Sequence, residues 1–109
     1  MDREKIEKIA EHYGYDCQSR QCIEEMAELT QAINKLWRVF RGRRDFPKGP
    51  NGLSSEESFA YYSVAEELAD VKITVAQIEY LLGSTEIVQN MTVTKLDRQL
   101  KRMEAENGR

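Results

Sequence analysis

The chain has 109 residues and a mass of 12.7 kDa, which leaves room for one compact domain and little else. Apolar residues make up 40% and charged residues 32%, enough for a core surrounded by well-solvated helix faces. Sixteen basic against nineteen acidic side chains give a net charge of −3 and a pI of about 5.3, which argues against affinity built on neutralising many nucleic-acid phosphates.

In chain order, the first predicted element is a short helix over about 2–13. Asp2 is its N-cap, Ile6, Ile9, Ala10 and Tyr13 are its apolar positions, and Gly14 is its stop. A second helix is expected over about 18–41, roughly 36 Å long at 1.5 Å per residue. Both prolines, Pro47 and Pro50, and three of the six glycines then fall within Arg41–Leu53, so a long Pro/Gly loop over 42–53 divides the chain into two helical halves. Ser54 with Glu57 fits a capping box, starting a third helix that runs to Leu82 and ends at Gly83. Ser84 or Thr85 starts a fourth, carrying Ile87, Val88, Met91, Leu96, Leu100 and Met103, and the last residues, 106–109, are expected to fray. No alternating run bounded by turn residues suggests a strand. The expectation is an all-α, four-helix bundle-type domain over 1–109 with two long helices.

Other classes find little support. No stretch approaches the roughly 18–20 continuous apolar residues of a membrane span. The segment MDREKIEKIA is charged and lacks the apolar centre of a signal peptide. Cys17 and Cys22 have no partners at metal-binding spacing and read as thiols in a reducing cytoplasm, Cys22 as a small buried hydrophobe. The single histidine, His12, supplies no metal site by itself.

The informative feature is an internal echo at an offset of 42 residues. Segment 22–29 reads Cys-Ile-Glu-Glu-Met-Ala-Glu-Leu, and segment 64–71 reads Val-Ala-Glu-Glu-Leu-Ala-Asp-Val. Apolar positions 22, 26, 29, 33, 36 and 40 match 64, 68, 71, 75, 78 and 82, the 4-3-4-3 seam of a helix packed lengthwise on a partner. At about 100° per residue, Glu25 and Glu67 lie about 60° to one side of this seam, and Glu28 and Asp70 about 120° to the same side. Glu24 and Glu66 point to solvent. If the two helices pack together, four carboxylates line one groove. Their repulsion and desolvation call for a divalent cation, and Mg²⁺ suits an all-oxygen ligand set.

At these residues the sequence resembles the MazG-like family of all-α nucleoside triphosphate pyrophosphohydrolases. The family hallmark is Glu-x-x-Glu on one helix and Glu-x-x-Asp on a later one, matched by Glu25-x-x-Glu28 and Glu67-x-x-Asp70 within a likeness that covers about residues 20–102. The 38 residues between Glu28 and Glu67 exceed the family's usual gap, owing to the Pro/Gly loop. The resemblance implies Mg²⁺-dependent hydrolysis of an NTP or dNTP to the monophosphate and pyrophosphate, with Glu25, Glu28, Glu67 and Asp70 as metal and catalytic residues. It also implies homodimers or homotetramers with sites near subunit contacts. Lys95, Arg98 and Arg102 share one face of the last helix and match the family's basic segment as triphosphate ligands, with Asn90 as a further polar contact.

Arg41, Arg43, Arg44 and Lys48 add basic charge to the loop, and Arg41 suits a helix C-terminus. Phe40 and Trp37 are expected to pack, with base stacking as the other use of Trp37, and Tyr61 and Tyr62 pose the same choice. Two long apolar seams with Trp37, Phe59 and the tyrosines offer more apolar surface than one small bundle hides, so a homo-oligomer is expected. The contrasting expectation is a non-catalytic helical oligomerisation module with a vestigial acidic site. A third, a small nucleic-acid binder using the basic loop and last helix, conflicts with the net acidity.

Overall fold

The computed structural model describes residues 1–41 and 45–108; Gly42, Arg43, Arg44 and Arg109 lie outside the described residues, and with them part of the basic loop cluster. Three helices make up the described chain: α1 over Arg3–Val39, α2 over Ser55–Leu81 and α3 over Thr85–Asn107. No strand occurs among the described residues. The protein is all-α.

The two helices expected before the loop form α1, a single element broken at Gly14. Gly14 sits at φ 82°, ψ 170°, a conformation open to glycine and strained for other residues. The predicted stop is therefore real, but helix resumes at once rather than at residue 18. Asp2 caps α1 by accepting from the Lys5 backbone N–H at 3.2 Å. Ser54 and Glu57 form the complete capping box of α2: Glu57 N–H donates to Ser54 Oγ at 3.2 Å, and Ser54 N–H donates to Glu57 Oε1 at 2.9 Å. Ser84 precedes α3 without a side-chain cap and donates its hydroxyl back to the Glu79 carbonyl.

Helices α1 and α2 pack as an antiparallel hairpin, with Gln18 opposite Gln77 and the Glu25 and Glu28 region opposite Asp70 and Glu67. Phe40 is buried to 1% exposure at the foot of the hairpin, and the loop folds back so that Phe46 meets its ring at 6.0 Å between centroids. Cys22 is buried, as its place in the apolar pattern requires. The rest of the buried core is Ile6, the small Ala10 and Ala60, and the polar Gln18, Thr74 and Gln77. Gln18 Nε2 donates to Gln77 Oε1 at 2.7 Å, and the Thr74 hydroxyl donates to the Asp70 and Val71 carbonyls, so these polar groups are paired.

The contact line is rotated from the expected seam. On α1 the buried and half-buried stripe is Gln18, Cys22, Glu25, Leu29, Ala32 and Leu36; on α2 it is Ala60, Val64, Glu67, Val71, Thr74 and Ile78. Met26, Ile33, Leu68, Val75 and Leu82, expected inside, stay 44–58% exposed. The acids have moved into the helix contact, and half of the apolar seam has moved out of it.

A four-helix bundle is not formed within one chain. Helix α3 meets α2 only around the turn at Gly83 and does not touch α1. The molecule spans 45 × 41 × 21 Å. Its second dimension exceeds two helix diameters of about 10–12 Å each, so α3 projects away from the hairpin. The radius of gyration is 17.5 Å, against about 13 Å for a compact domain of this length.

Candidate metal centre

Helix periodicity places Glu25 and Glu28 one turn apart on α1, and Glu67 and Asp70 one turn apart on α2. The antiparallel packing brings these turns face to face. Glu25, Glu28 and Glu67 each present a carboxylate oxygen within 4.8 Å of the others. Asp70 lies beside Glu25, close enough to share a hydrogen bond with it, but outside that mutual group of three. Gln21, one turn before Glu25, donates to Glu25 Oε1 at 2.7 Å and fixes that carboxylate.

The electrostatics are those of crowded carboxylates. Glu25 Oε2 and Glu67 Oε2 are buried and have no hydrogen-bond partner. None of the four acids takes part in an ion pair among the described residues, where the pairs are Arg3–Glu7, Lys5–Asp2 and Arg20–Asp16. Desolvation, then repulsion from Glu28, Asp70 and Glu25, pushes the Glu67 carboxyl up from 4.5 to about 7. Asp70 is raised as well, by desolvation first and then by Glu25 and Glu66. Two orphaned inward oxygens and a third carboxylate at the rim form a donor set that fits a hard divalent cation.

The remaining sequence candidates lie elsewhere. Asn90, Lys95 and Arg98 line one shallow depression on α3, and Arg102 follows them, but this exposed helix does not reach the acids of its own hairpin. Trp37 is 54% exposed rather than packed. Its place on the wheel puts it on the Met26–Ile33 side of α1, away from Glu28. Tyr61 is half-buried, and Tyr62 is exposed against its edge. A cavity of about 270 Å³ between the N-terminal arm and the end of α2, lined by Ile6, Ala76 and Tyr80 among others, contains none of the four acids. There the Tyr80 hydroxyl donates to Glu11.

Sequence reasoning missed three residues on the acid side of the hairpin. Gln21 sits four positions before Glu25, Lys35 seven after Glu28, and Phe59 eleven before Asp70, all spacings that return to one helix face. That shared face was the available signal. The Lys35 ammonium lies over the Phe59 ring, 4.9 Å from its centroid. No helix among the described residues is long and apolar enough to cross a membrane. Comparison with protein-family models, with curated proteins and with solved structures finds no match for this chain.

Proposed function

We propose that this protein is a cytoplasmic Mg²⁺-dependent nucleoside triphosphate pyrophosphohydrolase of the MazG-like kind, working as a homo-oligomer. The observation that carries the reading is the convergence of Glu25, Glu28 and Glu67 from two helices, with two inward oxygens left without partners. A solvated acidic face has no reason to bury carboxylate oxygens that nothing satisfies. Glu25, Glu28 and Glu67 would hold the ion, with Asp70 at the edge of the set. Bound there, Mg²⁺ supplies charge neutralisation for a triphosphate and a more acidic water. Gln21 holds Glu25 in place, and desolvation with the crowding of Glu28, Asp70 and Glu25 raises the Glu67 carboxyl, a repulsion that a bound cation would relieve.

Surface area supports the oligomer. The chain exposes 8749 Å², whereas a compact monomer of this mass exposes about 6,200 Å². The excess of roughly 2,500 Å² is several times the ~800 Å² that one partner contributes to a standard interface. A second copy suits the open half-seam of Met26, Ile33, Leu68, Val75 and Leu82, because a twofold axis sets this stripe, with one apolar residue every seven, against itself. Lys95, Arg98, Arg102 and Asn90, which do not reach the acids of their own hairpin, would meet the acid cluster of a further copy in the oligomer.

The test is pyrophosphate release from a panel of canonical and modified NTPs and dNTPs with Mg²⁺. Release from at least one nucleotide, lost in Glu67→Ala and Asp70→Ala, is the expected result. A folded oligomer that turns over none of them is the non-catalytic module instead, a reading favoured by the same exposed half-seam.

A further inference from the structure

We propose that the Lys35–Phe59 pair is the base-binding end of the nucleotide site, the Phe59 ring stacking on the base and the Lys35 ammonium donating to an acceptor on its rim. This rests on the pyrophosphohydrolase reading and goes beyond it by placing the base. Phe59 is 65% exposed, the most open large apolar side chain in either hairpin helix. Its ring is engaged by the Lys35 ammonium at 4.9 Å. The ring buries little within the chain, and the Lys35 ammonium is seated on it.

The pair shares an edge with the acids. Lys35 is two turns beyond Glu28 on α1, and Phe59 two turns before Glu66 on α2, so both stand about 10–12 Å along the hairpin from the carboxylates. Between the two ends this edge carries Ala32 and Ser63, both half-buried, whose short side chains leave the path open. The Ser63 hydroxyl is turned back onto the Phe59 carbonyl at 2.8 Å and does not stand in that path. The separation matches the reach of a nucleotide from its α-phosphate to its base. Trp37, on the opposite edge, is not placed for this role.

The chemistry of the pair suits a base. An exposed aromatic face accepts any base by stacking. An ammonium group has three donors and no acceptor, so at the rim of a stacked base it is met by a carbonyl oxygen or by a ring nitrogen such as adenine N7. Every base offers such an acceptor.

The experiment measures equilibrium binding, with Mg²⁺, of non-hydrolysable α,β-methylene analogues of UTP, GTP and ATP, and of inorganic tripolyphosphate, which has no base. Wild type is expected to bind each of the three analogues more tightly than tripolyphosphate. Phe59→Ala should weaken all three analogues roughly 5- to 150-fold and leave tripolyphosphate within about twofold. Lys35→Met should weaken the analogues more than it weakens tripolyphosphate. Circular dichroism and sedimentation of each variant establish that fold and assembly are unchanged. Unaltered analogue binding by Phe59→Ala, an equal loss of tripolyphosphate, or a changed oligomeric state would overturn the inference alone. A wild type that binds neither analogue nor tripolyphosphate overturns the proposed function together with it.

Discussion

Replacing Glu67 with Gln tests the acid cluster without reference to any substrate. The substitution keeps the shape of the side chain and removes the charge. In the folded chain the Glu67 carboxyl titrates near 7, against 4.5 ordinarily, because desolvation and its three acidic neighbours disfavour the anion. At pH 6 the folded state therefore retains about 0.9 of a proton more at this position than the unfolded state does. A raised carboxyl pKa means that its favourable contribution is complete below pH 4.5 and is lost as the pH rises through 7. Asp70, also raised, acts in the same direction. In EDTA, the melting temperature of Glu67→Gln minus that of wild type should grow steadily between pH 5 and pH 8, with the variant the more stable at pH 8. Mg²⁺ should then raise the wild type at pH 8 and leave the variant nearly unmoved, since only the anionic cluster gains from the cation. Thermal melts followed by circular dichroism measure all of this. A variant less stable than wild type at pH 8 in EDTA, or a difference that does not change with pH, would refute the reasoning.

Two further substitutions examine the frame around the cluster. Gln77→Leu leaves the Gln18 amide without its partner at a site where Gln77 is only 1% exposed, so it should cost about 1–3 kcal/mol in urea unfolding, and Gln18→Leu/Gln77→Leu should recover most of that loss. Strictly additive losses in the double variant would show that the pair does not act as a unit. Leu68→Glu puts charge into the open half-seam and should shift sedimentation from an oligomer to the 12.7 kDa chain while helicity is kept; a variant that sediments with the wild type would move the interface elsewhere.

Local chemistry made much of the fold legible. Gly14, the Pro/Gly run and Gly83 divide the chain where the helices break or end, and Ser54 with Glu57 announces the start of α2 to the residue. The echo between segments 22–29 and 64–71 led to the cluster because a shared periodicity gives two helices matching faces. It did not give the rotation of those faces. A 4-3-4-3 apolar stripe states that something covers a face, without stating whether the cover belongs to the same chain. Here α1 and α2 meet through Glu25 and Glu67, while Met26 and Leu68, one position on, remain outside. The same ambiguity misplaced α3. Its apolar residues signal burial, but none is buried in the single chain, and its cations were assigned to a site that this helix does not reach. Lys35 and Phe59 were missed for a simpler reason: neither belongs to a motif, and their meeting depends on the register between helices, which no one-dimensional pattern contains.

The rotation of the hairpin contact has a consequence for how stability and chemistry are divided. Had α1 and α2 packed on their full apolar seams, the core would hold Met26, Ile33, Leu68 and Val75, and all four carboxylates would face water with ordinary acidity. Instead Glu25 and Glu67 share the contact with Cys22, Leu29, Leu36, Val64, Val71 and Ile78, and Ala32, Ala60 and a glutamine pair complete it, so it holds less apolar area than the full seams would. On the proposed reading, two additions would act on opposite edges of the same hairpin. A cation would relieve the repulsion on one edge, and a second copy would cover the half-seam on the other. Both would bind the folded hairpin in preference to the unfolded chain, so each would strengthen the other through the fold they share.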